Sequence, residues 1–157
     1  MEAYGEDPHL VGRMAVEFVQ GLQGNDPKYL KVVATAKHFA VHSGPESSGH
    51  SFDAKVDEED LAGSYLPHFE AAIREGGGYS VMCAYNRVDD DPACASPRLI
   101  GDILRKQWGF SGYVVSDCGA VVDIFRGHKV ADNMPAAASR AVWGRARTWI
   151  AAPNTAP

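Results

Sequence analysis

One pattern repeats three times along the chain: a helical segment is followed by a short apolar strand, with no hairpin between successive strands. The predicted strands cover residues 31–39, 79–84 and 112–117. Strands that alternate with helices form parallel sheets, because the chain must cross back over the sheet before it can pair again. The pattern therefore predicts an α/β protein with about three β/α units of parallel sheet.

The helices are predicted from capping residues and from apolar spacing. Asp7, Asp57 and Ser96 each stand before a segment in which apolar residues recur at helical intervals. Proline opens two of these segments, and acidic residues fill the first turn of the third. A further, alanine-rich helix is predicted over residues 133–143.

Polar side chains stand at the carboxyl end of each predicted strand. Lys37 and His38 close the first strand, Tyr85 follows the second, and Asp117 ends the third. In a β/α barrel the carboxyl ends of the strands form the face that carries catalytic groups. We therefore predict that Asp117 is the chemical centre and that the other three side chains face it.

A carboxylate at a strand end can serve as a nucleophile, a metal ligand or a solvated cap. A metal site would require further carboxylates or histidines at the neighbouring strand ends. A lysine, a histidine and a tyrosine stand there instead, and side chains of these types can hold sugar hydroxyls and favour the ionised form of a carboxylate. A retaining glycosidase uses such a carboxylate as its nucleophile, with a second carboxyl about 5–5.5 Å away as general acid and base. Lys37 leaves a Schiff-base aldolase as an alternative.

Composition argues against several classes of partner. The 157 residues carry a net charge of −5 and no basic stripe, which argues against nucleic acid. No apolar run approaches the ~20 residues of a membrane span, and residues 1–10 lack the features of a signal peptide. No Cys or His spacing indicates a metal site, so we expect neither metal nor cofactor. Compartment and oligomeric state stay open.

The chain contains three cysteines, and an odd number does not indicate a disulfide scaffold. A bridge between Cys83 and Cys94 is left open by this count. Cys118, which directly follows Asp117, is interpreted as a small packing residue.

Five segments resemble the N-terminal catalytic domain of the family 3 glycoside hydrolases, in the branch of β-glucosidases and β-xylosidases. They read EAYGEDP (2–8), AKHF (36–39), SVMCAYN (80–86), LRKQWGF (104–110) and VVSD (114–117). Each segment alone has low specificity, whereas five in the family's order and spacing are specific. The resemblance implies a TIM barrel that hydrolyses β-linked gluco- or xylo-oligosaccharides or aryl β-glycosides.

The resemblance also implies a role for each strand-end residue. Asp117 would be the nucleophile that forms a glycosyl-enzyme intermediate. Lys37 and His38 would bind hydroxyls of the sugar in the first subsite. Met82 and Tyr85 would line that subsite, with Tyr85 close to the nucleophile.

The loop 43–50 is similar to a loop that in this branch reads Gly-Pro-Glu and later Arg-His. His50 matches the histidine and is expected at the substrate, whereas Gly49 stands where the arginine is usual. His42, His50 and His128 are interpreted as loop residues rather than catalytic residues.

A TIM barrel has eight β/α units and about 250 residues, and this chain supplies three units. We therefore predict that residues 1–143 are a partial (β/α)8 TIM-barrel-like domain, truncated at both ends. The general acid/base is expected outside the chain. Such a piece exposes apolar faces, so we expect the isolated chain to be poorly soluble and nearly inactive. A non-catalytic carbohydrate-binding remnant is therefore a second functional alternative.

Residues 144–157 are predicted to form an irregular tail. In the family, the preceding helix leads into a Gly-x-Asp-Leu-x-Cys-Gly strand. Codons for residues 146–155, reread one nucleotide earlier, can encode Gly-Ala-Asp-Leu-Asp-Cys-Gly-Pro-Glu-Tyr. We therefore hypothesise a frameshift shortly before Ala146, and the gene sequence tests this hypothesis.

Overall fold

The computed structural model describes residues 3–42, 44, 46–143 and 148–149. Its main sheet has four parallel strands in the order β1-β3-β6-β7. A small second sheet joins β2 to β4 in parallel and β4 to β5 in antiparallel orientation. The strands are β1 Thr35–Phe39, β2 Asp53–Ala54, β3 Ser80–Cys83, β4 Arg87–Val88, β5 Asp91–Pro92, β6 Tyr113–Ser116 and β7 Thr148–Trp149. The predicted parallel α/β sheet is confirmed.

Helices lie between the strands of the main sheet. They are α1 Pro8–Gln23, α2 Glu58–Asp60, α3 Pro67–Arg74, α4 Ala120–Phe125 and α5 Met134–Trp143, with π-helical segments Leu61–Tyr65 and Pro97–Gln107. Short 3₁₀ turns occupy Glu46–Ser48 and Ala93–Ala95. The predicted caps are present: the side chains of Asp7, Asp57 and Ser96 each accept a hydrogen bond from a backbone amide in the first turn.

The first strand is shorter than predicted. Residues 31–33 are exposed and precede β1, although Val32 and Val33 are β-branched. The side chain of Gln23, at the end of α1, explains the difference: its Oε1 accepts hydrogen bonds from the amides of Ala34 and Tyr79, both at 3.2 Å. This amide fixes the approach to the sheet, so regular pairing with β3 begins only at Thr35.

The core lies between the sheet and the helices that cover it. Phe39 is fully buried, and its ring contacts Phe69 and Trp108 edge-on, with centroids 5.2 and 5.8 Å away. Val81 and Val114 are also fully buried on adjacent strands. Phe69 and Trp108 are buried as well, so these three rings form part of one aromatic core.

A disulfide bond joins Cys83, at the end of β3, to Cys94 in the following 3₁₀ turn. The two Cα atoms are 5.0 Å apart, within the range that a disulfide spans. The bridge that the sequence left open is thus formed, and it closes the segment that carries Tyr85. Cys118 is exposed, so its interpretation as a packing residue was wrong.

The tail that was predicted to be irregular adds one short strand to the sheet. Thr148–Trp149 pairs with Val114 and Val115 of β6. The rest of residues 144–157 lies outside the described residues. The frameshift hypothesis therefore stays a prediction.

Helix α1 carries an exposed apolar stripe, which we define as Leu10, Met14, Phe18 and Leu22. Their exposed fractions run from 38% to 56%. The opposite side of α1 packs on α3, and a cleft of about 310 Å³ lies between α1, β1 and α3. No helix among the described residues is long and apolar enough to cross a membrane.

We expect the double substitution Met14→Glu/Phe18→Lys to increase the solubility of the isolated chain. It replaces exposed apolar surface with an i,i+4 ion pair of favourable orientation, and exposed positions contribute little to folding, about ±0.5 kcal/mol. Light scattering and circular dichroism would measure the effect. Val16→Glu, on the buried side of the same helix, is the matched control and should unfold the chain. Unchanged aggregation of the double variant would show that the stripe does not cause association.

Candidate active site

Asp117 follows the last residue of β6, at the carboxyl end of the parallel sheet. Its amide donates a hydrogen bond to the carbonyl of Cys83, 3.3 Å away, so the pairing with β3 continues through this residue. Gly119 has a φ of +86° and turns the chain directly into α4. The Asp117 side chain is only 12% exposed. A tight strand–turn–helix connection therefore holds a buried carboxylate at the sheet edge.

Three hydrogen-bond donors converge on the Asp117 carboxylate. Oδ1 accepts from the hydroxyl of Tyr85 at 3.0 Å and from the amide of Cys118 at 2.7 Å. Oδ2 lies 3.1 Å from Nε2 of His38. The Tyr85 hydroxyl is also 3.0 Å from the carbonyl oxygen of Cys118. The carboxylate is thus fixed in one orientation by groups from three successive β/α units.

Lys37 and Met82 occupy the neighbouring strands. Lys37 lies on β1, is exposed and lines the cleft between α1, β1 and α3. Met82 is half-buried on β3, opposite Val115 in the sheet register. The Lys37–His38 and Phe39–Ala40 peptide bonds are cis. The structure thus brings His38 and Tyr85 into direct contact with Asp117. Lys37 precedes His38 on β1, and Met82 lies on β3.

His50 lies against Tyr85. Its Nδ1 donates to the Oδ2 of Asp123 at 2.7 Å, and its ring centroid is 4.3 Å from that of Tyr85. The His50 side chain is 63% exposed. The imidazole is therefore accessible from the surface, and its contact with substrate stays a prediction. The contacts that the structure shows are with Asp123 and Tyr85.

Asn86 was not predicted as a site residue, but its side chain connects the segment after β3 to the segment after β1. This buried amide donates from Nδ2 to the carbonyls of Ala40 and Val41, at 3.2 and 3.3 Å. Its Oδ1 lies 3.2 Å from Nδ1 of His42. The sequence signal for Asn86 was its position directly after Tyr85. Its contacts follow from its burial, because a buried amide needs hydrogen-bond partners.

Asp123 and His128, on and just after α4, were also not predicted. Nε2 of His128 donates to the carbonyl oxygen of Tyr85 at 2.7 Å, and the amide of His128 donates to the carbonyl of Asp123. Both residues are buried, at 8% exposure for Asp123 and 5% for His128. No local pattern in the sequence distinguishes these two residues from ordinary helix and loop residues.

Burial shifts the pKa of three groups around Asp117. It raises the pKa of the Tyr85 phenol well above its usual range, and the hydrogen bond to Asp117 adds to this rise. Burial likewise raises the pKa of Asp123, against the opposing effect of His50. Burial lowers the pKa of His128, although its bond to the Tyr85 carbonyl partly offsets the change. Tyr85 therefore stays a neutral donor.

The arrangement suits nucleophilic attack better than metal binding. Among the residues that the structure describes, no three His, Cys, Asp or Glu side chains are arranged to hold a metal ion. The partners of the Asp117 side chain are instead donors, which orient the carboxylate, and an oriented carboxylate can attack an electrophilic carbon.

Comparison with known proteins places this geometry in a family. The model of the glycosyl hydrolase family 3 N-terminal domain matches residues 1–141. A xylan 1,4-beta-xylosidase of Xylanibacter ruminicola is 48% identical over 143 residues, which cover 90% of this chain and 17% of that enzyme. The chain therefore spans about a sixth of the length of that relative.

Solved structures give the same assignment. A GH3 exo-beta-xylosidase (XlnD), in complex with a xylobiose aziridine activity-based probe, superposes with a TM-score of 0.87 at 36% identity. The match covers 90% of this chain and 19% of that one. The b-glucosidase EmGH1 of Erythrobacter marinus gives a TM-score of 0.86 at 36% identity, covering 96% and 20% of the two chains. The chain belongs to glycosyl hydrolase family 3, and strands β1 to β6 lie within the part that matches that family's N-terminal domain.

Proposed function

We propose that this chain is part of the catalytic barrel of a retaining β-glycosidase in which Asp117 is the nucleophile. The observation that carries the proposal is the convergence of His38, Tyr85 and the Cys118 amide on one buried carboxylate. This carboxylate stands at the strand end where β/α barrels perform their chemistry. The family match and the names of the relatives support the same reaction class.

The two carboxylate oxygens have different surroundings, and this difference suggests which one reacts. Oδ1 accepts from both Tyr85 and Cys118, whereas Oδ2 has the single contact with His38. In the proposed reaction Oδ2 attacks the anomeric carbon while the bond to the leaving-group oxygen breaks and that oxygen takes a proton from a general acid. Water then attacks the glycosyl-enzyme, loses its proton to the same residue, and releases Asp117.

The general acid/base is proposed to come from outside this chain. A retaining mechanism places this carboxyl about 5–5.5 Å from the nucleophile. Asp123 is the buried carboxylate on the helix that follows Asp117, but its Oδ2 accepts from Nδ1 of His50. We therefore assign Asp123 no proton transfer to the substrate.

The proposed substrates are β-linked gluco- or xylo-oligosaccharides and aryl β-glycosides. His38 and Lys37 would hold hydroxyls of the first sugar, and Met82 and Tyr85 would line its subsite. Relatives of both substrate classes match, since one is named a xylosidase and another a glucosidase. The choice between glucose and xylose is left to experiment.

Trapping of the covalent intermediate tests the proposal. We define the chimera as the Xylanibacter ruminicola relative in which residues 3–143 of this chain replace the matching segment. A 2-deoxy-2-fluoro-β-xyloside or glucoside with a good leaving group should label it, and peptide mass spectrometry should place the sugar on Asp117. Labelling of any other residue in an active chimera would contradict the assignment.

The isolated 157-residue chain provides the complementary measurement. We expect it to release almost no nitrophenol from nitrophenyl β-xyloside or β-glucoside. Binding of xylose or glucose by the folded but inactive chain would instead favour the carbohydrate-binding remnant. Turnover at the rate of a complete enzyme would show that the general acid/base lies within the chain.

A further inference from the structure

We propose that Asp123 is a positioning residue: it holds His50 against the ring of Tyr85 and thereby keeps the Tyr85 hydroxyl on the Asp117 carboxylate. This inference rests on the proposed function. It adds a connection to that function: the buried carboxylate of Asp123 on α4 links the loop that carries His50 to Tyr85, whose hydroxyl donates to Asp117.

The contact between His50 and Asp123 joins two distant parts of the chain. Seventy-three residues separate them, and the distance from Nδ1 to Oδ2 is 2.7 Å. The Asp123 side chain is 11% exposed and that of His50 is 63% exposed, so the carboxylate end of the contact is buried while the imidazole reaches the surface. Without His50, the buried Oδ2 of Asp123 would lose this hydrogen-bond donor, which is unfavourable.

The backbone supports the same docking. The carbonyl of His50 lies so close to Gly127 that a side chain on that glycine would overlap its oxygen. Gly127 follows α4 and donates its amide to the carbonyl of Asp123. The loop that carries His50 therefore contacts the end of α4 through both its main chain and its imidazole.

Tyr85 is held between this loop and the end of α4. The imidazole of His50 lies against its ring with the two planes tilted by 50°, and Nε2 of His128 donates to its carbonyl oxygen. Among the described residues, no group forms a hydrogen bond with Nδ1 of His128. Nε2 carries the proton that this contact uses, and burial, which lowers the pKa of His128, favours the neutral ring. These two contacts leave the Tyr85 hydroxyl directed at Asp117, 3.0 Å away.

Asp123 also determines the tautomer of His50. Because Nδ1 donates to a carboxylate, the neutral ring keeps an unprotonated Nε2 that can accept a hydrogen bond. A second partner that orients an imidazole in this way usually affects function, even though it does not touch the substrate. Asp123 thus acts through His50 and Tyr85.

Kinetics of the chimera form the first test. Asp123→Ala is expected to lower kcat on the order of 10-fold, the effect typical of an orienting partner, with KM nearly unchanged. Asp123→Asn keeps an acceptor oxygen and should lose less, which guards against a folding defect of the alanine variant. Asp102→Ala, at an exposed i,i+4 ion pair with Lys106, is the matched control and should keep the full rate.

A double substitution separates positioning from a general loss of stability. If Asp123 acts through His50, then His50→Ala should lower kcat to a similar extent, and the double variant should lose little more than either single one. Additive losses, or an Asp123→Ala variant that matches Asp102→Ala, would overturn the proposal.

The histidine tautomer gives a readout that does not depend on activity. In the ¹⁵N-histidine-labelled 157-residue chain, long-range ¹H–¹⁵N spectra should show His50 protonated on Nδ1. Asp123→Ala should shift it towards the Nε2-protonated form, whereas His128 should stay unchanged. A His50 that is protonated on Nε2 in the unsubstituted chain would contradict the contact itself. By contrast, an active Asp117→Asn chimera would overturn the proposed function and leave the tautomer result intact.

Discussion

Replacing Asp117 with asparagine in the chimera is expected to lower kcat by a factor on the order of 10⁴–10⁶, as when the nucleophile of another covalent hydrolase is removed. Asparagine keeps the shape of the side chain, so its carbonyl can still accept from Tyr85 and Cys118. Its uncharged amide cannot form the glycosyl ester, and covalent catalysis is lost. Steady-state hydrolysis of a nitrophenyl β-glycoside measures the effect.

The smaller Asp117→Gly variant identifies the missing step. It leaves space beside the anomeric carbon, so azide should restore turnover of a substrate with a good leaving group. The product should be the α-glycosyl azide, because azide attacks from the side that the carboxylate occupied. Asp102→Asn, at a carboxylate that pairs with Lys106 on the helical segment Pro97–Gln107, is the control and should keep normal activity. Near-normal hydrolysis by Asp117→Asn would remove Asp117 from the mechanism.

Phe39→Ala is expected to reduce the free energy of unfolding by about 3–5 kcal/mol, the usual cost of truncating a buried phenylalanine. Phe39 is fully buried, and its truncation removes two edge-on aromatic contacts, with Phe69 and Trp108. Such a loss is large beside the total stability of a domain, about 5–15 kcal/mol. Urea denaturation followed by circular dichroism measures the effect, in the chimera or in the isolated chain if it unfolds cooperatively.

The control for this prediction is Phe18→Ala, which truncates the same side chain at a position that is 56% exposed. We expect a change within about ±0.5 kcal/mol, as is usual for surface positions. Because Phe39 directly follows His38, its loss should also disturb the hydroxyl-binding side of the site. Equal effects of the two substitutions would show that the interior around β1 is not packed as the structure describes.

Several parts of the fold could be predicted because they depend on neighbouring residues. Capping by Asp7 or Ser96 requires only a side-chain oxygen next to free amides at a helix start. The strand that ends at Asp117 is recognisable from a short β-branched run followed by a glycine turn. The placement of Tyr85 and His38 near Asp117 followed from the parallel order of their strands.

The helices show where local patterns were insufficient. The predicted helix after Asp57 is divided by a π-helical segment, Leu61–Tyr65, and by Pro67. Proline supplies no amide to the preceding turn, so the regular hydrogen-bond ladder is interrupted there. Apolar spacing indicates which side of a helix is buried. It does not indicate which backbone carbonyl accepts the hydrogen bond from each amide, and this choice separates an α-helix from a π-helix.

The amino-acid sequence by itself determined the alternation of helices and strands, the acidic strand end at Asp117 and the resemblance of five segments to one hydrolase family. Only the tertiary structure decided that His50 contacts Asp123, that His128 contacts Tyr85 and that Cys83 is bonded to Cys94. The first group arises from forces between residues close in sequence, which leave periodic and capping patterns. The second group depends on which distant surfaces meet when the core is buried, and no local pattern encodes those distances.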